Sequence, residues 1–224
     1  MIDRCCISIT EKCNLRCRYC HFTTDGRRSR DMTGEEIDSI IDSIRDYVSN
    51  NDNLFKVGIV GGGEPLLRFD MLKRIVEELG KDPHIRMYTI SNGVGVDDEK
   101  VRFMWEHRDV LEYCISLDGS QMLHDTNRVD RSGNGTFSSV MDTVRRYEAL
   151  FGNKPSVNCT VTPELLSHAD ETIRFFSENG FRKVTFSKLF DSEKTISSEE
   201  FHSFLNEASE YLEIRQLRKD RTYD

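Results

Sequence analysis

Residues 10–22 read TEKCNLRCRYCHF and contain three cysteines, Cys13, Cys17 and Cys20, at C-x3-C-x2-C spacing. Thiolates gathered in one loop are the ligands that a soft metal centre such as an iron–sulfur cluster requires. Three thiolates leave one iron of a four-iron cluster without a protein ligand, and an open metal position is typical of catalytic sites. The spacing therefore favours a catalytic iron–sulfur centre. Two alternatives are a zinc site completed by His21 and reduced cysteines with a structural role, although the second C-x2-C pair that zinc sites usually contain is missing from the sequence.

Short β-rich runs alternate with amphipathic helical patterns along the chain. The six predicted strands are Cys5–Ile9, Phe55–Val60, Ile85–Ser91, Leu111–Leu117, Val157–Val161 and Lys183–Leu189. Strict alternation of strands and helices predicts a parallel sheet with right-handed crossovers, because each connection must return across the sheet. The pattern predicts an α/β fold and leaves open whether the sheet stays doubly wound or curls into a barrel.

Local signals mark several boundaries between these elements. Thr33 followed by Glu36 is the signature of a capping box, and isoleucines then recur at helical spacing. The stretch Ser120–Gly135 is long and polar, and we expect a loop there. The charged tail Arg215–Asp224 is expected to fray.

Turns rich in glycine and polar residues follow the predicted strands. Gly62-Gly63-Glu64-Pro65 follows the second strand, Ser91-Asn92-Gly93 closes the third, and Ser116-Leu117-Asp118-Gly119 closes the fourth. In barrels of this kind, functional groups collect at the carboxyl ends of the strands. Glycines allow a backbone to approach a ligand, and Glu64 adds an acceptor for a cationic group. The alternative is ordinary turn chemistry, with Pro65 as the first residue of a helix.

The cysteine spacing, the aromatic Tyr19 before the last cysteine and the G-G-E-P turn resemble the radical S-adenosylmethionine (radical SAM) enzymes. The resemblance covers nearly the whole chain and implies a partial (β/α)6 barrel of parallel strands. It also implies a [4Fe-4S] cluster on Cys13, Cys17 and Cys20, with S-adenosylmethionine chelated to the open iron. An electron from the cluster would cleave the sulfonium and yield a 5′-deoxyadenosyl radical. The three cysteines would then be both catalytic residues and metal ligands.

The resemblance also implies contacts to S-adenosylmethionine, residue by residue. The G-G-E-P turn would bind its amino group, and Arg128 would form a two-pronged salt bridge to its carboxylate. The implied cofactor-binding residues are Tyr19, Gly62, Gly63, Glu64, Asn92, Ser116, Arg128 and Val161, and Val161 would pack on the adenine. A turn role for Asn92 and Ser116 and a core role for Val161 stay open as alternatives.

The sequence S-L-D-G at residues 116–119, followed by H-D-x-x-R at residues 124–128, is similar to peptide- and protein-modifying radical SAM maturases of the sulfatase-maturase or SPASM type. This implies hydrogen abstraction from a peptide or protein substrate, with a reductant such as flavodoxin or ferredoxin. His124 and Asp125 are expected to order their loop rather than transfer protons. Two alternatives remain: an activase that installs a glycyl radical on a partner enzyme, and a cluster-bearing binding or electron-transfer module without radical chemistry.

The four cysteines outside the motif, Cys5, Cys6, Cys114 and Cys159, lie in predicted strands, and we expect them to be small apolar core residues. No cysteine follows Cys159, whereas many maturases continue into a cysteine-rich extension. We therefore expect residues 1–224 to form one radical SAM core domain without that extension.

Composition and charge argue against several other classes. The 224 residues carry a formal net charge of −8, which is unfavourable for a general binder of nucleic acid or of anionic membranes. The basic residues Arg27, Arg28 and Arg30 are expected to lie in a solvated loop.

The sequence has neither an apolar run of membrane-spanning length nor a signal-peptide pattern at its N-terminus. Seven cysteines at uneven spacing do not suggest a disulfide framework, so we expect a cytoplasmic protein in a reducing compartment that suits an iron–sulfur cluster.

Overall fold

The computed structural model describes residues 2–20, 22, 30–51, 53–189 and 196–211. The alternative zinc ligand His21, the basic residues Arg27 and Arg28, and the charged tail at residues 215–224 lie outside the described residues. Within the described ranges, no helix combines the length and the apolar character needed to cross a bilayer.

Six strands form one sheet in the order β1-β2-β3-β4-β5-β6. Their bounds are β1 Arg4–Ile7, β2 Phe55–Ile59, β3 Ile85–Ser91, β4 Leu111–Ser116, β5 Ser156–Val161 and β6 Val184–Lys188. The pairings of β1 with β2, of β2 with β3 and of β5 with β6 are parallel. Every predicted strand is present, and the ends differ from the sequence-based bounds by two residues at most.

Helices connect successive strands, as the alternating pattern predicts. Their bounds are α1 Gly34–Ser49, a 3₁₀ helix Pro65–Arg68, α2 Phe69–Leu79, α3 Asp98–Glu106, α4 Gln121–Asn127, α5 Phe137–Phe151, α6 Pro163–Leu166, α7 Ala169–Glu178 and α8 Ser198–Tyr211. The predicted capping box is confirmed at the start of α1: Glu36 N–H donates to Thr33 Oγ1, and Thr33 N–H donates to Glu36 Oε2.

The prediction of a loop at Ser120–Gly135 is wrong for its first half, which forms α4. His124 N–H donates to the Ser120 carbonyl at 2.9 Å, and Arg128 N–H donates to the His124 carbonyl at 2.8 Å. Leu123 and His124 are buried, whereas most of their neighbours are polar. Two inward-facing residues form too short a pattern for helical periodicity to be recognised in the sequence.

The chain divides into two compact units. Unit 1 comprises Met1–Asn14, Phe22–Ser91 and Gly95–Cys114. Its core contains fully buried residues from α1, β2 and α2, among them Ile37, Ile59, Leu72 and Ile75. Burial of such a side chain contributes about 1.5–3 kcal/mol, so helix α2 is held chiefly by its apolar face.

Unit 2 comprises Leu15–His21, Asn92–Val94 and Ile115–Asp224. Its core is built around aromatic rings: Phe176 packs edge-on against Phe186, and Phe186 packs edge-on against Phe204 of α8 at 4.9 Å between ring centroids. Strand β4 contributes residues to both units, since its last two residues, Ile115 and Ser116, belong to unit 2.

The structural role predicted for the four cysteines outside the motif holds for two of them. Cys114 and Cys159 are buried, whereas Cys5 is half-buried and Cys6 is exposed. Cys5 and Cys6 lie in β1, which is an edge strand of the sheet, so fewer elements cover them.

Removal of the capping hydroxyl of α1 is expected to destabilise the protein. Thr33→Ala leaves Glu36 N–H without its side-chain acceptor, which typically costs about 1 kcal/mol of unfolding free energy. The measurement is urea unfolding followed by circular dichroism. Thr33→Ser keeps the hydroxyl and should behave like the wild type, and equal losses in both variants would contradict a capping role.

Candidate functional site

The three cysteines of the C-x3-C-x2-C motif fall in both units. Cys13 belongs to unit 1, and Cys17 and Cys20 belong to unit 2. All three are half-buried, and Cys20 N–H donates to the Cys17 carbonyl at 3.0 Å, which closes a tight turn. In the described part of the chain, no three His, Cys, Asp or Glu side chains form a group that could hold a metal ion. The assignment of these cysteines as cluster ligands therefore rests on their spacing and stays a prediction.

The residues just before Cys13 are anchored within unit 1. The Lys12 ammonium lies 2.8 Å from Asp31 Oδ2, and the Thr10 hydroxyl donates to Asp31 Oδ1 at 2.7 Å. The same hydroxyl accepts a hydrogen bond from Lys12 N–H at 3.0 Å. The bond from Lys12, and then the bond from Thr10, hold the pKa of Asp31 below the ordinary carboxyl value. These contacts fix the backbone that leads into the first cysteine.

The Gly62-Gly63-Glu64-Pro65 turn packs against the same segment. Glu64 N–H donates to the Lys12 carbonyl at 2.8 Å. A Cβ atom on Gly63 would lie 2.2 Å from that carbonyl oxygen, so a larger residue does not fit between the two backbones. Gly63 therefore holds the segment that carries Cys13, in addition to the cofactor role that the sequence predicts.

Glu64 itself is buried and caps the short helix that follows. Its carboxylate accepts from Leu66 N–H at 3.0 Å, and Pro65 is the first residue of the 3₁₀ helix. The turn role that the sequence left open is thus present in the structure. A contact between Glu64 and the amino group of a cofactor stays a prediction.

Three further predicted cofactor residues lie at strand ends in unit 2. Asn92 follows β3, and its side-chain oxygen accepts from Val94 N–H at 2.9 Å in a local turn. Ser116 ends β4 and Val161 ends β5, and both are buried. The local turn at Asn92 and the burial of Val161 agree with the turn and core alternatives, and cofactor contacts at these positions stay predictions.

A buried carboxylate that the sequence analysis assigned only to a turn, Asp118, organises this part of unit 2. Arg128 Nε donates to Asp118 Oδ2 at 2.7 Å, and Arg128 Nη2 donates to Oδ1 at 3.2 Å. The Tyr19 hydroxyl donates to Oδ2 at 2.7 Å, and Thr160 N–H donates to Oδ1 at 2.9 Å. The side chains of Asp118 and Arg128 are 3% and 7% exposed, so this is a buried ion pair.

Burial and the charge of Arg128 act in opposite directions on the pKa of Asp118. Burial alone would raise the pKa of Asp118, but the Arg128 guanidinium and its hydrogen bonds hold that pKa below the ordinary carboxyl value. Burial raises the pKa of Tyr19 well above its usual range. Asp118 is therefore an anion at neutral pH, and Tyr19 is a neutral hydrogen-bond donor.

The family resemblance implies a two-pronged salt bridge between Arg128 and a cofactor carboxylate, whereas in the structure Nε and Nη2 of Arg128 donate to Asp118. Nη2 also lies 3.4 Å from the Thr160 hydroxyl. A contact to a cofactor through the remaining nitrogen, Nη1, is compatible with this arrangement. The signal that could have indicated Asp118 is its place in S-L-D-G ahead of H-D-x-x-R, but the pairing itself is a tertiary contact.

Residues 13–20, which carry the three motif cysteines, are called the cysteine segment. Part of this segment runs antiparallel to the residues around Arg128. Arg16 N–H donates to the Val129 carbonyl and Arg18 N–H donates to the Asn127 carbonyl, both at 2.8 Å. Leu15 forms an antiparallel bridge with Asp130 in the same register. The bonds from Arg16 and Arg18 lie on either side of Cys17 and reach the two chain neighbours of Arg128. The Arg128 guanidinium also lies over the Tyr19 ring, with 5.4 Å between its carbon and the ring centroid.

His124 and Asp125 have the loop-ordering role that the sequence predicts. Asp118 N–H donates to His124 Nδ1 at 3.3 Å, so Nε2 carries the proton and donates to the Thr136 hydroxyl at 3.0 Å. Burial, and then the nearby Arg128 cation, lower the pKa of His124 to about 4. Asp125 accepts from Phe137 N–H at 2.8 Å at the start of α5. Neutral His124 thus ties α4 to the Asp118 turn.

The chain matches one protein family and is similar to curated enzymes. The profile of the Radical SAM superfamily matches residues 7–186. A cysteine-type anaerobic sulfatase-maturating enzyme of Clostridium perfringens (strain 13 / Type A) is 28% identical over 189 residues, which is 80% of this chain and 49% of that enzyme. The chain thus spans about half the length of this curated relative.

Solved structures show the same fold. Native anSMEcpe with bound AdoMet superposes with a TM-score of 0.77 at 21% identity, covering 99% of this chain and 63% of that chain. Streptococcus suis SuiB bound to its precursor peptide SuiA gives a TM-score of 0.74 at 15% identity, covering 97% and 47%. At these identities the likeness shows the fold alone, and it confirms the predicted α/β class, the partial (β/α)6 barrel of parallel strands.

The close contact at Gly63 gives a first test of the site. Gly63→Ala forces a Cβ atom against the Lys12 carbonyl, and overpacking of this kind costs about 1–3 kcal/mol of unfolding free energy. The measurement is urea unfolding of the protein without cofactors. Gly62→Ala is the matched control, because the nearest atoms to its Cβ belong to the Phe22 and Glu11 side chains, the closest at 3.3 Å. An equal loss in the two variants would contradict a specific contact at Gly63.

The buried neutral His124 gives a second test, in the pH dependence of stability. The pKa of His124 is about 4 in the folded protein, below the ordinary value of 6.5, so the unfolded chain binds more protons between these values. Stability from this group is complete above pH 6.5 and is lost as the pH falls towards 4. The expected loss between pH 7 and pH 5 is about 2 kcal/mol.

The comparison that isolates this effect is urea unfolding of wild type and His124→Asn at pH 7 and pH 5. Asparagine offers an acceptor to Asp118 N–H but does not titrate in this range. The variant should lose less stability than the wild type between the two pH values, and an identical loss would contradict a buried neutral His124.

Proposed function

Because the chain belongs to the Radical SAM superfamily, we propose that it is a radical SAM enzyme that abstracts hydrogen from a peptide or protein substrate. The family uses a [4Fe-4S] cluster and S-adenosylmethionine as cofactors. The single observation that supports the catalytic proposal best is the three-cysteine segment within a chain whose fold and profile match this family.

The donor set of the cysteine segment suits an iron–sulfur cluster. Cys13, Cys17 and Cys20 provide soft thiolate ligands from a stretch of eight residues, and all three are half-buried rather than locked in the core. When bound, the cluster supplies the electron that cleaves S-adenosylmethionine reductively. The proposed contribution of the protein is to bind and orient S-adenosylmethionine and to exclude water from the site.

The proposed contacts to S-adenosylmethionine follow from the turns at the strand ends. Gly62 and Gly63 bring backbone close to the ligand, and Glu64 accepts from its amino group. Arg128 offers Nη1 to its carboxylate while Asp118 holds the other edge of the guanidinium. The remaining proposed contacts are Tyr19, Asn92, Ser116 and Val161.

A peptide substrate is the finer part of the proposal. One relative is a cysteine-type anaerobic sulfatase-maturating enzyme, and SuiB has been solved bound to its precursor peptide. The S-L-D-G and H-D-x-x-R residues of this chain fit the same class of maturase. Because the chain spans 49% of the sulfatase-maturating relative, its substrate and partners are proposals for the whole protein. We further propose that the enzyme works in the cytoplasm with a reductant such as flavodoxin or ferredoxin, and without nucleic acid or membrane partners.

The reaction class predicts two coupled results. After anaerobic reconstitution with iron and sulfide, the wild type should hold about four irons per chain, and after reduction it should convert S-adenosylmethionine to 5′-deoxyadenosine and methionine. The triple variant Cys13→Ala, Cys17→Ala, Cys20→Ala should lose both, because the cluster loses its thiolates. Iron analysis and chromatography of the nucleoside product are the measurements.

Cys6→Ala is the control for nonspecific loss of thiols, since Cys6 is exposed and outside the motif, and it should keep the iron content of the wild type. Precursor peptides encoded beside the gene should raise the yield of 5′-deoxyadenosine, and deuterium in the right peptide should appear in that product. A yield that responds only to a glycyl-radical enzyme would favour an activase. Cofactor binding without any cleavage would favour a binding or electron-transfer module.

A further inference from the structure

The Asp118 carboxylate connects three separate segments of unit 2. It accepts hydrogen bonds from the Tyr19 hydroxyl, from two Arg128 nitrogens and from Thr160 N–H, at 2.7–3.2 Å. A carboxylate has about four acceptor positions, so these four bonds use its capacity fully. Tyr19 lies between Cys17 and Cys20 in the sequence, so one of these bonds reaches directly into the cysteine segment.

The backbone register gives this carboxylate a second connection to the cysteines. The hydrogen bonds from Arg16 and Arg18 bracket a position at which Cys17 faces Arg128. Cys17 is the residue between these two bonds, and it lies close enough to Arg128 for the two side chains to interact electrostatically. The permanent positive charge of Arg128 therefore acts on Cys17, and Asp118 is the anion that offsets this charge.

We propose that Asp118 is a positioning residue of the cysteine segment, which anchors Tyr19 and offsets the Arg128 charge beside Cys17. The anchoring requires no cofactor. The electrostatic consequence rests on the proposed function: a cluster on Cys17 becomes more negative when it is reduced, and a nearby cation without its counter-anion would favour that reduced state. Asp118 therefore keeps the reduction potential of the cluster lower than Arg128 alone would set it.

The anchoring is tested first, on the protein without cofactors, by hydrogen exchange followed with NMR. Tyr19→Phe removes only the hydroxyl that donates to Asp118, so the fold is retained. The amides of Arg16 and Arg18 should exchange about fivefold faster than in the wild type, while the rest of unit 2 keeps its protection. Tyr47→Phe is the matched control, because the Tyr47 hydroxyl bonds to Ile2 in unit 1. Unchanged exchange at Arg16 and Arg18, or a uniform loss of protection throughout unit 2, would overturn the anchoring role.

The electrostatic part is tested on the reconstituted protein by a redox titration with dithionite, followed by EPR without S-adenosylmethionine. Asp118→Asn should raise the potential, changing the ratio of oxidised to reduced cluster about tenfold at fixed potential, which is about 59 mV for one electron. The double variant Asp118→Asn, Arg128→Gln removes both charges. Its ratio of oxidised to reduced cluster at the same fixed potential should return to within about twofold of the wild-type ratio. Asp170→Asn makes the same change in net charge at an exposed pair with Arg174 and should leave the potential unchanged.

The outcomes separate this proposal from the proposed function. Absence of iron uptake by the wild type would overturn the function and the electrostatic role together, while the exchange experiment still decides the anchoring. Iron uptake and cleavage of S-adenosylmethionine, with equal potentials in wild type and Asp118→Asn, would overturn only the electrostatic role. Because loss of one partner of a buried ion pair strongly destabilises a protein, the neutral double variant supplies the comparison if the single variant does not fold. In that case, the electrostatic role would be overturned if, at the same fixed potential, the ratio of oxidised to reduced cluster in the double variant differed from the wild-type ratio by more than about twofold.

Discussion

In a parallel sheet each strand is followed by a connection that returns across the sheet, and the segments that leave successive strands emerge at the same edge. In unit 1 this brings the residues after β1, which lead to Cys13, against the turn after β2. The Lys12 carbonyl accepts from Glu64 N–H there, and Gly63 has no room for a side chain. The residues that lead to Cys13 and the glycine-rich turn are thus neighbours because of the strand pairing, although 50 residues separate Cys13 from Gly63 in the sequence.

The features that were predictable from the sequence are those set by local physics. Strand and helix alternation and the capping box of Thr33 and Glu36 each depend on residues a few positions apart. The first half of the polar stretch at Ser120–Gly135 was missed, because only Leu123 and His124 carry the buried face of α4. For the cofactor contacts, the sequence supplies candidate residues, several of them at the carboxyl ends of strands, and their cofactor roles stay predictions.

The role of Asp118 was not predictable, for a different reason. Its partners Tyr19, Arg128 and Thr160 are 99, 10 and 42 residues away, and a carboxylate in an Asp-Gly turn is ordinary turn chemistry when seen alone. Removal of an ion pair from water costs several kcal/mol for each ion, which a protein recovers only when the remaining hydrogen-bonding positions are satisfied. Here all four acceptor positions of the carboxylate are used, and that completeness is visible only in three dimensions.

The same ion pair bears on how Arg128 would recognise a second carboxylate. A guanidinium has two edges that present paired donors, and Asp118 occupies the edge formed by Nε and Nη2. The position of the guanidinium over the Tyr19 ring restricts its movement further. Nη1 is therefore aimed by contacts that exist before any ligand arrives, and a ligand that uses it does not have to order a flexible side chain. Preorganisation of this kind lowers the entropic cost of binding. Asp118 thus uses two of the donor nitrogens of Arg128, and the same bonds fix the direction in which the remaining donors point.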